Sequence, residues 1–481
     1  MNIGTLPARH GRYRPGHAAL VTAEGRWSYA EFDRRTARLA AGLEAAGVRH
    51  GAALATALPN CPALYEIYWA AARIGVATVP LSPLLKPEAI HSLAADAGAA
   101  LVIGEPARAD AIAATVPADA VPSSPPIRGS DVFNIMYSSG TTGVPKGIVL
   151  SYGVRAAYCT VLAAQWRMTP ESVVLHAGSL VFNGAFTTLM PAMFLGATFV
   201  LQTRFDPDAF MDAVERERVT HVMMVPSQIV ALLNAPRFDP SRLASLEMLG
   251  SVGAPLHREH RDRLVEHLPG HAYELYGLTE GFVTILDNRE FARRRDAVGI
   301  PIPFSDMRIV GPDGAEVPTG AVGEIVGRGP LLMSGYHKRP DLTALAIVDG
   351  WLHSGDMGFV DADGFLHLVD RQKDLIVSGG VNVFPRDIEE VAVAHPAVRE
   401  AAVFGVPDDK WGEVPVAAIV LREGIWASPD ELKQWMNERV AARYQRVSRV
   451  VIMDDFPRST AGKTLKRVMR EPYWVERDAR I

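Results

Sequence analysis

Cysteine is scarce. The chain has only Cys61 and Cys159, in no metal-ligand or redox spacing, which excludes a disulfide framework and fits a reducing compartment. No apolar run is long enough to span a bilayer: the longest, residues 189–201, falls short of the about 20 residues a spanning helix needs. The opening MNIGTLPARHGRYRPG lacks the apolar stretch of a signal peptide. Neither sign of charge prevails. With 49 basic and 54 acidic residues the net charge is −5, which gives no reason to expect nucleic acid or an anionic membrane as a partner. Internal repeats are absent, and the one compositionally biased tract is an Ala/Pro/Ser-rich stretch at residues 104–129. These absences predict a cytoplasmic protein with no membrane span. At 481 residues, 48% of them hydrophobic, the chain exceeds the size at which one core keeps growing, so two or three lobes are expected.

What is present centres on YSSGTTGVPKGIVL at residues 137–150. An apolar approach (Val132, Phe133, Ile135, Met136) and an apolar exit (Ile148, Val149, Leu150) read as two short strands. Between them lie Ser138, Ser139, Gly140, Thr141, Thr142, Gly143, Lys146 and Gly147. Glycines let backbone N–H groups approach a ligand, hydroxyls add donors, and a lysine adds a mobile positive charge, a combination suited to a polyphosphate. A flexible Gly/Ser/Thr hairpin is the plain alternative. The P-loop pattern is excluded, because no Gly-Lys-Ser/Thr ends the run and a strand follows instead of a helix.

Along the rest of the chain, strands and helices alternate. A strand pair (ALV, then WSY) precedes a helix that Ser28 and Glu31 predict as capped at its start. Strands are expected at 52–58, 77–81, 100–103, 173–177, 198–202, 221–225 and 246–252, and helices at 61–74, 87–97, 154–165, 184–195, 206–217 and 228–234, with 104–129 a loose connector. Such a series predicts doubly wound α/β subdomains around parallel sheets. From about residue 300, turns such as Gly311-Pro312-Asp313-Gly314 and Asp361-Ala362-Asp363-Gly364 separate short strands, which predicts an antiparallel, β-barrel-like subdomain at 300–372. A boundary is expected near Asp370-Arg371-Gln372-Lys373, dividing an N-terminal domain, 1–372, from a small α+β C-terminal domain, 373–481.

The 137–150 loop closely resembles the phosphate-binding signature of the adenylate-forming (AMP-binding) superfamily, which includes acyl-CoA synthetases. Further segments match in the same order and cover nearly the whole chain. GSVGAPL (residues 250–256) resembles the segment along the adenine, which implicates Gly253, Ala254 and Pro255. YGLTE (residues 276–280) implies Tyr276 stacked on adenine beside Gly277, Thr279 at the α-phosphate and Glu280 on Mg2+, with Thr142 a second implied metal ligand. An aromatic face, a neutral donor and a hard oxygen ligand are what a Mg-nucleotide requires. GWLHSGDMGFVDADGFLHLVDRQKD (residues 350–374) implies Asp356 on the ribose hydroxyls with Arg371 assisting, and Lys373 as the hinge of a mobile C-terminal domain. SGGVNVFPRDIE (residues 378–389) resembles the loop that admits the pantetheine arm, with Gly379 and Gly380 against it. FPRSTAGKTLKR (residues 456–467) matches the lysine loop and makes Lys463 the implied catalytic lysine, with Thr279 and Glu280 beside it. Without the family, the same residues read as turns, surface charges and a basic tail.

The resemblance implies an ATP-, Mg2+- and CoA-dependent acyl-CoA synthetase of the acid–thiol ligase type. A carboxylate attacks the α-phosphorus of ATP, pyrophosphate leaves, and after the small domain rotates about Lys373 a thiol attacks the acyl-adenylate. The implied acid pocket comprises residues 181–186, 225–228, 250–253 and 281–284, including Phe182, Asn183 and Gly281, and carries no Arg or Lys to grip a second carboxylate. Many relatives have histidine near position 182, where this chain has Phe182-Asn183. A neutral Asn183 cannot bind the α-ammonium of an amino acid as an aspartate would; it either hydrogen-bonds the acid or caps the following helix. The expected substrate is therefore an aliphatic or aromatic monocarboxylate. Because no carrier domain is fused, free CoA is the expected acceptor. A stand-alone enzyme loading a carrier protein is the alternative, and a nucleotide-binding pseudoenzyme is disfavoured by the presence of Glu280, Asp356, Arg371 and Lys463. A homodimer is compatible with the resemblance, while the sequence leaves the oligomeric state open.

Overall fold

The computed structural model describes residues 2–138, 145–371, 374–379, 381–458 and 464–474, without the side chains of Asp370, Arg371 and Asn382. Its central feature is a nine-stranded sheet. Six strands run parallel in the spatial order Ala272–Gly277, Met248–Val252, His221–Met224, Val173–His176, Thr198–Leu201, Ala18–Thr22. Antiparallel strands Val283–Leu286 and Gly25–Ser28 flank them. A second, six-stranded sheet runs in the order Gly335–Tyr336, Lys146–Ser151, Val132–Ser138, Ala77–Pro80, Ala53–Thr56, Ala99–Ile103, and is parallel from Val132–Ser138 onward. Parallel strands buried on both faces read as short apolar runs, which is why they were legible.

Helices fill the space between the sheets. The helix Pro62–Arg73 is buried along almost its whole length, and Tyr65 stacks on Phe199 of the nine-stranded sheet with ring centroids 4.9 Å apart. Apolar on every side, the helix Asn183–Leu195 lies in the same core and stops at left-handed Gly196. The helix Tyr29–Ala45 starts with the expected box: Ser28 N donates to Glu31 Oε2 at 2.8 Å and Glu31 N to Ser28 Oγ at 3.3 Å. One expectation fails, since the supposed loose connector contains a helix, Pro106–Ala114. Its alanines favour helix, and it packs on the 29–45 helix, with no gap for a Cβ between Gly42 and Ile112. A π-helical turn, Tyr158–Leu162, interrupts the helical stretch that begins at Tyr152.

Downstream, Asp306–Val310, Gly323–Arg328, Ile347–Val348, Trp351–Val360 and Leu366–Arg371 form a five-stranded antiparallel sheet. The small C-terminal domain is a further five-stranded sheet in which Val398–Asp408 and Gly412–Leu421 make a long hairpin. A βαβ unit is formed by Gly412–Leu421, the helix Pro429–Arg439 and the parallel strand Arg449–Ile452. Among the described residues no helix is long and apolar enough to cross a membrane. Cys61 and Cys159 are both buried as free thiols.

Burial also sets an acid sensitivity. His176, 4% exposed at the end of its strand, has its imidazole pushed by burial from the ordinary 6.5 down to about 4. His260 is pushed to about 4 by burial as well. Both are neutral in the fold, so below 6.5 the unfolded chain binds more protons and stability falls as pH drops towards 4. His176 alone is expected to lower unfolding free energy by about 2 kcal/mol between about pH 7 and about pH 5. Urea unfolding of the wild type and His176→Phe at both pH values checks this: the variant's loss between them should be smaller by that amount.

Candidate active site

Of the described sequence-derived residues, those at 253–255 and 276–280 lie at the carboxyl ends of parallel strands, where open α/β sheets bind ligands. Gly253, Ala254 and Pro255 are exposed just past the strand Met248–Val252. Tyr276 and Gly277 end the neighbouring strand, and Thr279 and Glu280 occupy the turn after it. Tyr276 is not a loose strand end. Its hydroxyl donates to Asp356 Oδ2 at 2.9 Å across 80 residues, so the ring and the carboxylate are placed by each other. Beneath Tyr276, Glu274 pairs with Arg261, both nearly fully buried, which anchors the strand.

Asp356 belongs to the strand Trp351–Val360, and Ser354-Gly355-Asp356 is an irregularity in that strand instead of a free turn. Gly355 N donates to Glu324 Oε1 at 3.0 Å, Ser354 Oγ donates to Ile325 O at 2.6 Å, and Asp356 N donates to Ser354 Oγ at 3.0 Å. These bonds fix the backbone that carries the carboxylate. Across the hairpin, the backbone of Arg371 is the register partner of Asp356, so the two implied ribose residues sit opposite each other.

The glycine-loop hairpin brings Ser138 into register with Lys146. The strand Gly335–Tyr336 then pairs with Lys146–Ser151, with Tyr336 opposite Ile148. Lys146 Nζ lies 5.1 Å from the centre of the Tyr336 ring, and Tyr336 donates to Glu280 Oε1 at 2.9 Å. Burial and the Glu280 charge together push the phenol well above its usual range, so it stays protonated as a donor. One tyrosine thus joins the phosphate-loop lysine to the implied Mg2+ carboxylate. Sequence reasoning missed Tyr336, whose only local signal is its place in SGYHKRP. Among the described residues no group of three or more His, Cys, Asp and Glu is placed to hold a metal ion. A single hard carboxylate such as Glu280 still fits Mg2+, which keeps several waters and is shared with substrate phosphates. Ser139, Gly140, Thr141, Thr142, Gly143, Lys373, Gly380 and Lys463 lie outside the described residues.

In the acid segments, Asn183 does not cap a helix: it is the first helical residue, and Phe182 stands at the cap position without a side-chain bond. Asn183 Nδ2 instead donates to the Tyr158 hydroxyl at 3.0 Å. Gly281 has φ +115°, and Glu280 O accepts from Met333 N at 2.7 Å, so this turn is pressed against residues 331–333. Thr284 is fully buried and donates to Val298 O at 2.7 Å. Gly379, at φ +60°, donates its N–H to Trp411 O at 2.6 Å. The small domain meets the large one through His257 Nδ1 and Glu390 Oε1 at 3.1 Å and through Arg422, which donates to both oxygens of Glu259 at 3.0 and 3.1 Å.

Comparison with known proteins covers both domains. Residues 8–337 match the AMP-binding enzyme family, and residues 387–463 match the AMP-binding enzyme C-terminal domain. The chain is 39% identical to a feruloyl-CoA synthase of Amycolatopsis sp, over 98% of this chain and 99% of the relative. It is 34% identical to an indoleacetate–CoA ligase of Aromatoleum aromaticum, over 98% of each. Among solved structures, ATP-bound MatB from Rhodopseudomonas palustris superposes with a TM-score of 0.88 at 29% identity, covering 98% of this chain and 99% of that one.

Proposed function

The chain belongs to the AMP-binding enzyme family, and from that premise we propose that it joins an aromatic monocarboxylic acid to coenzyme A. The reaction class is that of an ATP-dependent, AMP-forming acid–thiol ligase, as its full-length relatives are CoA ligases. ATP and CoA are its co-substrates, and Mg2+ is the usual companion ion of the nucleotide. The aromatic preference is supported by two relatives named for ferulate and indoleacetate, both aromatic acids. It is supported further by acid-pocket segments without Arg or Lys at 181–186, 225–228, 250–253 and 281–284.

The Tyr276–Asp356 bond is the observation that carries the nucleotide assignment. It supports reading Tyr276 as the aromatic face for adenine and Asp356 as the acceptor for vicinal ribose hydroxyls, because the two side chains meet. Ser138, the loop to Gly143, and Lys146 hold the pyrophosphate as it leaves, while Gly253, Ala254 and Pro255 border the base. Glu280, oriented by Tyr336, and Thr142 would hold Mg2+, which would supply positive charge at the phosphate oxygens. Thr279 donates to the α-phosphate, and Lys463 neutralises charge as the carboxylate oxygen bonds to the α-phosphorus and the bond to pyrophosphate breaks. Preorganised charge of this kind supplies most of the acceleration in phosphoryl chemistry. No protein nucleophile is needed.

For the second step, the domain beginning at Lys373 turns relative to residues 1–372, which separates His257 from Glu390 and Arg422 from Glu259. Gly379 and Gly380 then border the path of the thiol, which attacks the acyl carbonyl and expels AMP. The buried free thiols of Cys61 and Cys159 support a reducing, cytoplasmic setting. The test is a panel of acids, aliphatic from two to sixteen carbons plus benzoate, phenylacetate and cinnamate types, with ATP and either CoA or a holo carrier protein. CoA-dependent AMP release is expected with aromatic acids. Release that requires the carrier protein would overturn the acceptor, and release confined to aliphatic acids would overturn the substrate class.

A further inference from the structure

The turn that leads into the antiparallel sheet holds a strained aromatic residue in open solvent. Ser305 N donates to Ile302 O at 3.1 Å, which closes a four-residue turn with Pro303 and Phe304 at its centre. Phe304 has φ +66°. Proline first and positive φ second is the type II pattern, whose second central position calls for glycine or asparagine. A bulky side chain there costs folding energy. Burial does not offset that cost, because Phe304 is 87% exposed. Ile300 and Pro303, exposed as well, extend the apolar surface around it. Strain of this kind persists where the residue serves a purpose, and nothing inside the chain gains from this ring.

Beside the turn, a cleft of about 320 Å³ opens between the strand Asp306–Val310 and residues 316–319. Its apolar lining is Pro301, Met307, Ile309, Val317 and Pro318. Ser305, next to Phe304, also borders it, so the protruding ring and the cleft are neighbours on one face. The rim carries charge of both signs. Arg328 donates to Asp306 Oδ2 at 2.9 and 2.7 Å, and Arg308 lies 3.5 Å from Glu316. Both guanidinium groups are held over the Trp351 ring, at 4.4 and 4.5 Å. A rim of one sign would select a partner of the other. This one, with two cations and two anions, is complementary to itself: a two-fold axis can set the arginines of one copy against the carboxylates of the next. Two-fold contacts use the same patch twice, and aromatic side chains seated in pockets dominate their energetics. We propose that this face is the interface of a homodimer in which each protomer's Phe304 enters its partner's cleft. The proposal does not rest on the ligase reading.

The full-length chain is followed by sedimentation velocity over a concentration series. Wild type is expected to dimerise with a dissociation constant of about 1 micromolar or below, and Phe304→Asn to weaken the dimer by about thirtyfold or more. Asparagine suits the left-handed position. The urea midpoint of this variant, read where wild type is monomeric, should therefore equal or exceed that of wild type; a ring serving its own chain would lower it and overturn the proposal. Thr319 is exposed at the cleft, so Thr319→Trp blocks the entrance without disturbing the core and should also weaken self-association. Mixed one to one, Phe304→Asn and Thr319→Trp should associate with each other better than either does with itself, because one intact Phe304 then meets one open cleft. A wild type still monomeric at about 100 micromolar, a dimer that survives Phe304→Asn, or a mixture no better than its components overturns the assignment.

Discussion

Lys463→Ala is expected to lower acyl-adenylate formation by about a hundred- to thousandfold while leaving thioester formation from pre-made acyl-adenylate within about threefold of wild type. The reasoning is electrostatic. In the first half-reaction two anions, the carboxylate and the triphosphate, are driven together, and a lysine at the reacting oxygens offsets repulsion that grows towards the transition state. In the second, a thiol attacks a neutral acyl carbon and AMP departs, and the proposed domain rotation has already withdrawn the loop at 456–467. Pyrophosphate exchange measures the first step and single-turnover transfer to CoA the second. Equal losses in both assays would show that the lysine serves a shared geometry, and the proposed division of labour would be wrong. Lys146 makes the contrast. Its charge, fixed over Tyr336, is assigned to the leaving pyrophosphate, so its removal should act through ATP binding as well as through rate.

Gly281→Ala is expected to destabilise the protein by about 3 kcal/mol or more, enough to compromise folding of a marginally stable chain. Two costs add. At φ +115° an alanine is strained, and its Cβ would overlap the carbonyl of Leu331 and approach Leu332 Cα to 2.7 Å. Backbone cannot rotate out of the way as a side chain can. The neighbouring bond from Met333 N to Glu280 O ties the same two segments, so relaxing the clash would move Glu280 and the Tyr336 contact with it. Gly314→Ala is the control, because Gly314 also has positive φ (+77°) with nothing within 4 Å of the added carbon; its cost should stay near about 1 kcal/mol. Denaturant midpoints of the two variants decide the point: comparable losses would mean that strain alone, and not the close approach to residues 331–332, makes glycine necessary. Gly281 entered the acid pocket on sequence grounds, and its closest contacts among the described residues give it a packing reason as well.

Much of the architecture could be read from short stretches of sequence. Buried parallel strands announce themselves as runs such as those at 173–177 and 198–202, the Ser28–Glu31 box marks a helix start, and Gly/Pro turns after residue 300 mark the antiparallel sheet. The helix Pro106–Ala114 escaped because its proline-rich flanks outweighed a brief alanine-rich core with little amphipathic pattern. The helix Arg258–His267, strongly charged along its length, gave no apolar stripe to read.

By itself the sequence determined which chemistry the chain carries. The nucleotide motifs are contiguous in the chain, and the order of residue types within each is visible without a fold. Only the tertiary structure decided how those motifs act on each other. Tyr276 and Asp356 are 80 residues apart, Glu280 and Tyr336 are 56 apart, and Asn183 and Tyr158 are 25 apart. Their meetings depend on strand order and register: Gly335–Tyr336 reaches Glu280 because it pairs with Lys146–Ser151, and Asp356 faces Arg371 because two antiparallel strands align there. A hydrogen bond acts over about 3 Å, whereas a one-residue slip of a strand moves a side chain to the other face of the sheet. Local sequence therefore names the participants, and the packing of four sheets selects the pairs.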